Sequence, residues 1–355
     1  MSKKKLTGIK EIARLSGVSI ATVSRALNGN KTVNPALSSK VLQVAESLGY
    51  QPSPAARYMR SSKSGLLGIV VPKLTMSYFS DIVNGAINKA DEYGQLIIVG
   101  TVEGDSIAEQ TFLNKLSHYM IDGLIYCPVA AGPHLTEMAI LKHLPLVIAG
   151  RRKMIKGISH VSTNDEKAGY MATRYLLNLG RTKIAFFAGF WKTPPFSSYS
   201  EMIKSIDSKF SGSYSSMDRL HGYKRALKEI NIDLNENKLV FSEFDADSGY
   251  TSSRELFSRL DAIDAIIVPN CLVAQGVLKF FSEQRISIPH DISLVSMDDL
   301  NIGELLKTPT TSIIHDMYHV GVEAVVQLNR ILEKKDPRDS MIDVKLHIRQ
   351  STSQK

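Results

Sequence analysis

The side chains with the clearest chemical potential lie close to the N-terminus, at positions that would share one face of a short helix. Ile20, Ala21 and Arg25 project from the same side of a helix spanning residues 20–27. An arginine can donate two hydrogen bonds to a guanine edge in the major groove, which discriminates between bases by about 1–3 kcal/mol. Isoleucine and alanine offer apolar contacts, for example with thymine methyl groups. This combination predicts recognition of double-stranded DNA, although a small helical bundle with a solvated basic face would show the same pattern.

Three helices would position these side chains. A stripe of apolar residues at helical spacing ends at Gly17, and Ser19 can cap the following helix by accepting a hydrogen bond from a free backbone N–H. Asn34 and Pro35 are residue types that begin a helix, which we expect to extend to about Leu48. Its inner face would carry Val41, Leu42, Ala45 and Leu48. Two helices joined by a tight turn form a helix-turn-helix, with residues 20–27 as the recognition helix.

The charge of the chain is concentrated in the same segment. The 355 residues carry a formal charge of +8, from 43 Lys and Arg and 35 Asp and Glu. Residues 1–63 contain 11 basic and 2 acidic residues, a formal charge of +9, so the remaining 292 residues come to −1. A basic segment next to an almost neutral body suggests that the segment binds a polyanion.

The composition excludes several other classes of protein. With 43% hydrophobic and 22% charged residues, the chain is typical of a globular protein. Its 2 cysteines are too few for a disulfide-based scaffold and suit a reducing compartment. No apolar run reaches the roughly 20 residues that span a bilayer, and no stretch of signal-peptide length follows the N-terminal lysines. We therefore expect a cytoplasmic protein with no membrane partner.

The first fifty residues resemble a known family. The segments IKEIA at 9–13, SGVSIATVSRALN at 16–28 and LGYQP at 48–52 are similar to the start of the LacI/GalR family of bacterial transcriptional regulators. The resemblance implies that residues 1–50 form a helix-turn-helix domain and that the protein binds a pseudo-palindromic operator as a homodimer. The side chains that it assigns to DNA contact in this domain are Ser19, Ile20, Ala21, Thr22, Ser24, Arg25, Asn28 and Tyr50.

Residues 51–65 form a linker that could also contact DNA. Ser53 can cap one or two helical turns that begin at Pro54, but a helix this short is marginal in water and would need a partner. The stretch resembles the family's hinge helix, which orders on operator DNA and pairs with its twin in the minor groove. Met59 stands where the family usually has a leucine wedge, and we count Ala56 and Arg57 with it as candidate DNA contacts. A plain flexible linker is the alternative.

From residue 66 onward, continuous apolar strands alternate with amphipathic helices. This pattern is typical of parallel sheets covered by helices on both faces, so we expect an α/β fold. The candidate strands are 67–71, 95–99, 123–127, 146–149, 183–187, 265–268 and 293–296, and the candidate helices include 78–93, 167–179, 217–229 and 271–282. This part of the chain is long enough for two such lobes.

The body resembles the same family along almost its whole length. Matching segments include GIVVP at 68–72, DGLI at 122–125, LPLVI at 144–148, LGR at 179–181 and IPHDIS at 288–293. The resemblance implies the fold of a periplasmic sugar-binding protein, with two lobes joined by three crossovers and the ligand between them, at the carboxyl ends of strands. It divides the body into a first lobe of residues 66–162 with 293–320 and a second lobe of residues 163–292 with 321–355.

The family's ligand pocket can be carried over to this chain position by position. It would be lined by Met76, Tyr78, Phe79, Cys127, Arg151, Arg219, Phe244, Asn270 and Asp298. Asparagine, aspartate and arginine around aromatic faces suit a sugar, a sugar phosphate or a nucleobase-like effector, because they offer several directional polar contacts. Any one of these residues could instead serve only the fold.

Two departures from the family bear on the charge of that effector. Gly150 and Cys271 stand where family members often have an acidic residue, while Arg151, Arg152 and Lys192 could lie near the mouth of the cleft. Fewer acids and more bases favour an anionic ligand such as a phosphorylated or acidic sugar. A neutral sugar that uses other polar partners is the alternative.

An insertion of about residues 190–216 also distinguishes the chain from the family, which usually crosses here in far fewer residues. It contains Trp191, the only tryptophan, together with Pro194, Pro195, Phe196 and many serines. The segment could cover the cleft and bring Trp191 near the ligand, or it could be a surface loop with no part in binding.

No catalytic pattern accompanies these features. The sequence has no phosphate-cradling glycine loop, no paired-histidine zinc motif and no nucleophile elbow. We expect no cofactor, no metal and no enzymatic activity, so that a carbohydrate-acting enzyme is a remote alternative. The sequence predicts a ligand-responsive transcriptional repressor. A sugar-binding transport receptor would share the body fold but would have no use for residues 1–63.

Overall fold

In the computed structural model of the chain, the described residues are 8–27, 32–50, 63–116, 118–129, 144–152, 157–192, 194–206, 214–259, 263–299 and 303–355. They form two compact units that divide between Ser64 and Gly65. The first unit is a bundle of the helices α1 (Ile9–Ser16), α2 (Ile20–Leu27) and α3 (Pro35–Ser47). Its core is formed by the buried side chains of Ile12, Ala13, Val23, Ala26, Val33, Val41 and Ala45.

Capping contacts confirm the predicted boundaries of these helices. Gly17 ends α1 in the left-handed region, with a φ of 69°. The Ser19 hydroxyl accepts a hydrogen bond from the backbone N–H of Thr22 at 3.1 Å, and Asn34 Oδ1 accepts one from the backbone N–H of Ala36 at 2.9 Å. The short turn between α1 and α2, and the packing of both on α3, form the helix-turn-helix that the sequence predicts.

One prediction about this unit is wrong, and several others lie outside the described residues. Leu42 is 49% exposed, so it does not belong to the inner face of α3. The buried Val41 and Ala45 define that face, and position 42 points away from it. The DNA contact predicted for Asn28, and those predicted for Ala56, Arg57 and Met59 in the hinge, lie outside the described residues.

The second unit alternates strands and helices, as predicted. Its strands are β1 (Leu66–Val71), β2 (Leu96–Thr101), β3 (Gly123–Tyr126), β4 (Leu146–Ala149), β5 (Ser159–Thr163), β6 (Ile184–Gly189), β7 (Leu239–Ser242), β8 (Ala265–Val268), β9 (Ser293–Ser296), β10 (Thr311–His315), β11 (Ser340–Ile342) and β12 (Val344–His347). Its described helices are α4 (Ser77–Glu92), α5 (Ser106–Leu116), α6 (Asp165–Asn178), α7 (Tyr199–Lys204), α8 (Ser215–Lys228), α9 (Ala246–Arg259), α10 (Cys271–Glu283) and α11 (Met317–Leu332).

These strands form two sheets of six described strands, each the centre of one lobe. The first sheet has the order β11-β5-β4-β3-β1-β2, and the second has the order β12-β10-β9-β8-β6-β7. Neighbouring strands are parallel, except that β10 and β12 pair antiparallel. Central strands such as β3 and β6 are buried along their whole length, as parallel sheets covered on both faces require. The predicted α/β fold is confirmed.

The chain crosses between the lobes after β5, after β10 and after β11, and one polar residue stands at each crossover. Asn164 and Asp316 cap the helices that follow, because their side chains accept hydrogen bonds from the backbone N–H groups of Lys167 and His319. Asp343 Oδ2 lies 2.5 Å from the ammonium of Lys167. The crossovers at Asn164 and Asp343 therefore both contact Lys167 in the first turn of α6.

The predicted assignment of the last part of the chain to lobes is wrong. The sequence analysis places residues 293–320 in the first lobe, but β9 pairs with β8 and β10 pairs with β9, so both extend the second sheet. It places residues 321–355 in the second lobe, but α11 packs on α4 and β11 pairs with β5 in the first lobe. The physical reason is that β9 pairs parallel with β8, and β10 pairs parallel with β9, before the chain crosses to the first lobe. The lobes comprise residues 65–163 with 317–342, and residues 165–315 with 344–355.

Glycines let helices approach closely enough to bury the cleft residues between them. A Cβ atom at Gly169 of α6 would overlap the carbonyl oxygen of Arg219, and one at Gly222 of α8 would overlap that of Glu166. The pairs α4–α11 and α9–α10 are in contact in the same way, through Gly85 with Gly321 and Gly249 with Gly276. The contact between α6 and α8 places Arg219 directly beside the start of α6.

Candidate DNA-binding face and effector cleft

The face of α2 that points away from the bundle carries the side chains predicted to contact bases. Ile20 is 46% exposed, Ala21 and Arg25 are exposed, and Ser24 is half-buried. Positions 20, 21, 24 and 25 have the spacing of a single helical face. The structure therefore brings these four side chains together on one accessible surface.

The other predicted contacts of this unit that lie within the described residues also have roles in the fold. Ser19 and Thr22 stand at the N-terminus of α2, and their hydroxyl oxygens lie 2.9 Å apart. Tyr50 is half-buried and packs against the core of the bundle. Their positions suit contacts with DNA phosphates, but DNA contact by these residues stays a prediction.

The second unit contains a cavity of about 390 Å³ between its two lobes. Residues that follow the carboxyl ends of strands line it from both sides, which is where ligands bind in open α/β sheets. All nine side chains that the sequence analysis assigns to the ligand line this cavity: Met76, Tyr78, Phe79, Cys127, Arg151, Arg219, Phe244, Asn270 and Asp298. We refer to this cavity as the cleft.

Arg219 is the best-anchored cation of the cleft. Its Nε atom lies 2.7 Å from Asp165 Oδ1, with both side chains less than 10% exposed, and its Nη1 atom donates to the carbonyl oxygen of Pro269 at 3.3 Å. Burial lowers the pKa of Arg219, but the carboxylates of Asp165 and Asp298 outweigh it, so the pKa is raised. The guanidinium is a fixed positive charge that can bind ligand hydroxyl or carbonyl oxygens.

Two further cations, Lys192 in the lining of the cleft and Arg152 next to Arg151 in the chain, are paired with carboxylates. Lys192 Nζ lies 2.5 Å from Asp105 Oδ2, and Arg152 Nη2 lies 3.3 Å from Asp218 Oδ1. With Arg219 on Asp165, three cations in or next to the lining of the cleft have an acidic partner. Much of the positive charge that the sequence suggests for the cleft is therefore neutralised within the protein.

Arg151 differs from these three cations in its setting. Its Nη2 atom donates to the carbonyl oxygen of Val129 at 3.0 Å, and its guanidinium carbon lies 5.4 Å from the centre of the Tyr214 ring. Burial lowers the pKa of Arg151. A guanidinium stacked on an aromatic ring inside the cleft can contact either an anionic group or a hydroxyl of a ligand.

Aromatic side chains from both lobes form one wall of the cleft. The centre of the Trp191 ring lies 4.9 Å from that of Phe244 and 6.2 Å from that of Phe79, and Tyr78 packs edge-on against Phe79 at 5.0 Å. Burial raises the pKa of Tyr78 far above its usual range, so its hydroxyl is a neutral donor or acceptor. Such a wall suits the apolar face of a sugar or a planar ring.

Asn270 and Asp298 complete the polar side of the cleft. The Asn270 amide is oriented by the protein, because its oxygen accepts a hydrogen bond from Val273 N–H at 2.8 Å and its nitrogen donates to the Phe244 carbonyl at 3.1 Å. Asp298 Oδ1 accepts from the backbone N–H of Asp299 at 2.8 Å. The Asn270 amide can form further hydrogen bonds, since an amide offers several donor and acceptor sites.

The two cysteines are neutral thiols. Burial raises the pKa of Cys127, which lines the cleft, and that of Cys271, which lies behind it, to about 12 in each case. The Cys271 thiol donates to the carbonyl oxygen of Asp298 at 3.1 Å. Thiols in this state are poor nucleophiles, in line with the interpretation of both as packing or pocket residues.

The ends of the insertion reach the cleft. Phe190, Trp191 and Lys192 line it from one end of the insertion, and Tyr214 and Ser216 line it from the other. Between them, α7 packs on the core of the second lobe through Met202 and Ile203. Trp191 therefore lies in the lining of the cleft, while its contact with a ligand stays a prediction.

Sequence reasoning missed one side of the cleft. Residues 104–107 line it, together with Val129 and Tyr214. Residues 104–107 follow the end of β2, so the rule that ligands bind at carboxyl ends of strands could have identified them. The described residues contain no cluster of three or more potential metal ligands, and none of the described helices has the length and apolar content needed to span a membrane.

Comparisons with known proteins agree with this geometry. Residues 8–53 match the lacI family of bacterial regulatory proteins, and residues 173–352 match the periplasmic binding protein-like domain. The chain is 26% identical to catabolite control protein A of Priestia megaterium over 346 residues, which covers 97% of this chain and 98% of that protein. It is 28% identical to the HTH-type transcriptional repressor PurR of Vibrio vulnificus (strain CMCP6) over 330 residues, 92% of each chain.

Among solved structures, the fold is similar to that of the lac repressor dimer bound to operator and the anti-inducer ONPF. The TM-score is 0.83 at 23% sequence identity, and the match covers 98% of this chain and 100% of that one.

Proposed function

Because the chain belongs to the LacI family of bacterial regulatory proteins, we propose that a small molecule bound in its cleft sets its affinity for an operator. Like its relatives, the chain is a DNA-binding transcriptional regulator and not an enzyme. The observation that supports the proposal best is the convergence of all nine predicted ligand residues on one cavity between the lobes. As a protein that acts on DNA, it works in the cytoplasm.

The first unit binds the operator through two kinds of contact. Arg25 donates hydrogen bonds to a guanine in the major groove, while Ile20 and Ala21 contact apolar base edges. The basic residues of the segment 1–63 neutralise phosphates and make the affinity dependent on salt. Met59, with Ala56 and Arg57, extends the contact into the minor groove at the centre of the operator.

A second copy of the chain supplies the other half of the operator contact. The edge strand β2 exposes Leu96 and Ile98, which are 69% and 38% accessible, and Tyr119 and Met120 of the same lobe are also exposed. Apolar side chains on a sheet edge favour association with another surface of the same kind. We place the homodimer contact on this face.

The effector is a small polar ring compound of the sugar or nucleobase-like class. Its polar groups face Arg219, Asn270 and Asp298, and its ring face lies against the aromatic wall of Phe79, Trp191 and Phe244. The pairing of Arg152, Lys192 and Arg219 with carboxylates weakens the argument for an anionic ligand and favours a neutral sugar.

Effector binding reaches the DNA through the orientation of the lobes. The ligand contacts residues of both lobes, so it favours one relative orientation and moves the point where the first lobe begins, at Gly65. Such coupling changes DNA affinity by about 1–3 kcal/mol in typical allosteric proteins. A ligand that separates the two hinges of the dimer would weaken operator binding, and one that brings them together would strengthen it.

The effector class can be tested by screening sugars, sugar phosphates, nucleosides and bases in a thermal-shift assay, followed by calorimetry with matched neutral and phosphorylated forms of each hit. We expect a ligand to raise the melting temperature through mass action. Tighter binding of the neutral form is expected, and tighter binding of the phosphorylated form would reverse this assignment of charge. The variant Asp298→Asn, similar in shape, should lose the shift if the ligand occupies the cleft.

A further inference from the structure

A short turn of the second lobe crosses to the first lobe at one edge of the cleft. It consists of Phe190, Trp191 and Lys192, which directly follow β6. It contacts Gly104 and Asp105, which follow β2. The strands β6 and β2 belong to different sheets, so this contact joins the two lobes.

The polar part of the contact is an ion pair with one rigid partner. Lys192 Nζ lies 2.5 Å from Asp105 Oδ2, while Asp105 Oδ1 accepts hydrogen bonds from the backbone N–H groups of Ile107 at 2.8 Å and Ala108 at 3.0 Å. The hydrogen bond from Lys192, together with those from Ala108 and Ile107, lowers the pKa of Asp105 to about 2. The Asp105 side chain of the pair is therefore a carboxylate at every pH at which the protein would act.

The apolar part of the contact is the ring of Trp191. Although Trp191 follows a strand of the second lobe, it packs against a hydrophobic cluster of the first lobe that contains Val70, Val102 and Leu113. The ring covers Gly104, where an added Cβ would overlap it. The same ring also lies beside Phe79 of the first lobe and Phe244 of the second. One side chain thus bridges both lobes and the ligand cavity.

The backbone on both sides of the contact is held in an uncommon conformation. Glu103 and Lys192 have φ values of 49° and 52°, in the left-handed region that residues with a Cβ seldom adopt. Such conformations persist where surrounding contacts hold them, and they cluster at sites that bind or move. Each side of the contact therefore contains one residue in the left-handed region, Glu103 in the first lobe and Lys192 in the second.

We propose that Trp191 and Lys192 form a clasp, which the second lobe closes on Gly104 and Asp105 of the first lobe, and that the clasp controls access to the cleft. The ion pair and the indole ring hold the lobes together beside the ligand cavity, so the cleft opens when the clasp is released. This inference goes beyond the regulatory function, and its failure would leave the proposed function standing.

Two probes within the chain report on the clasp without knowledge of the effector. Trp191 is the only tryptophan, so quenching of protein fluorescence by acrylamide measures the accessibility of the clasp itself. Cys127 lines the cleft and is 2% exposed, so its rate of reaction with N-ethylmaleimide measures the opening of the cleft. Cys127→Ser supplies the background rate, which comes from Cys271.

The first test breaks the ion pair. Asp105→Asn keeps the N-cap of α5, since asparagine is a good capping residue, and Lys192→Met keeps the length of the side chain. Each is expected to raise both the quenching constant of Trp191 and the labelling rate of Cys127 by about two- to five-fold, the range that an exposed ion pair supports. Lys335→Met is the matched control, because Lys335 and Glu333 form an exposed pair with the same 2.5 Å separation elsewhere in the molecule.

The second test displaces the ring and leaves the ion pair intact. Gly104→Ala places a methyl group where Trp191 lies, whereas Gly94→Ala makes the same change at a glycine with a similar φ, 65° against 67°, and nothing within 4 Å. Backbone strain is therefore matched, and only Gly104→Ala is expected to raise quenching and labelling. If Trp191 becomes accessible in these variants while Cys127 labels at the wild-type rate, the contact does not control the cleft and the proposal is overturned. Unchanged quenching in all of them would overturn it as well.

Discussion

Two cations of the cleft are held by carboxylates that lie far away in the sequence. Arg219 is held by Asp165, and Lys192 by Asp105, over separations of 54 and 87 residues. The resemblance to the family predicted the cleft residues themselves, because each stands within a recognisable motif. It could not predict their partners, since these contacts join residues that are brought together only by folding, within the second lobe for Arg219 and between the lobes for Lys192. The sequence therefore suggested a more positive cleft than the structure contains.

The exposed position of Arg25 on α2 leads to a prediction about base recognition. Arg25→Ala should lower the affinity for the selected operator by about 1–3 kcal/mol while affecting random DNA little, because a bidentate contact to guanine is specific to a base. Competition binding with the two DNAs measures the difference. Lys10→Ala, an exposed cation on α1, should reduce binding to both DNAs alike and lower the salt dependence. Equal losses in Arg25→Ala would contradict its assignment.

His315, at the end of β10, predicts a dependence of stability on pH. Burial and the nearby Arg219 lower the pKa of His315 from 6.5 to about 4. Between these values the unfolded chain binds a proton that the folded chain does not, so stability should fall as the pH is lowered from 6.5 towards 4. The loss attributable to His315 should reach about 2 kcal/mol at pH 5.

Thermal unfolding of wild type and His315→Gln at pH 7 and pH 5 measures this contribution. The variant is expected to be less stable at pH 7 and to lose less stability on acidification. His319→Gln, an exposed position on α11, should follow the wild type. Parallel pH profiles for wild type and His315→Gln would rule out the assignment.

Among the elements, most continuous apolar strands were predictable, with β7 as an exception, and the polar strands were not. The predicted strands 146–149, 265–268 and 293–296 agree with the structure residue for residue. The strands β5 and β10 contain Ser, Thr and His, and β11 has three residues, so neither a continuous apolar run nor an alternation marks them. These strands join their sheets by pairing with the edge of a neighbouring strand, and the sequence of the strand alone does not show this.

The close contact of α6 with α8 leads to a prediction at the scale of elements. Gly222→Ala should destabilise the body by at least about 2 kcal/mol, because the new methyl group would overlap the backbone of Glu166 and force the helices apart. Since Asp165 and Arg219 lie on these two helices, effector binding should weaken as well. Denaturant unfolding measures the first effect, with Lys228→Ala on the exposed side of α8 as the control. A Gly222→Ala protein as stable as the control would contradict the packing argument.

At the scale of the whole molecule, the chain crosses between the two lobes three times, as the resemblance implies, but the sequence did not predict which lobe each C-terminal element joins. Strands and helices near the C-terminus have similar composition in both lobes, so nothing local indicates which sheet each one joins. Residues 293–315 and 321–342 are therefore predicted in the wrong lobes. We expect the lobes to rotate as units about the three crossovers at Asn164, Asp316 and Asp343, and this rotation is what the regulatory proposal requires.

The exposed apolar edge of the first sheet leads to a prediction about assembly. Leu96→Asp on β2 should convert the dimer to a monomer and lower operator affinity by at least tenfold, because each copy contacts only half of the operator. Met341→Asp is a matched control, since Met341 is 52% exposed on β11, at the opposite edge of the same sheet. Analytical ultracentrifugation measures the assembly. If the Leu96→Asp protein remained dimeric, the dimer interface would have to lie on another surface.

The claim that a ligand in the cleft sets operator affinity is tested most directly by one equilibrium measurement. The affinity of the protein for a DNA site selected from a random library is determined with and without a saturating ligand from the thermal-shift screen, for wild type and for Asp298→Asn. We predict that the ligand changes wild-type affinity by about 5–150-fold, while Asp298→Asn binds the same DNA equally well and responds little. Unchanged wild-type affinity in the presence of a ligand that occupies the cleft would contradict the account.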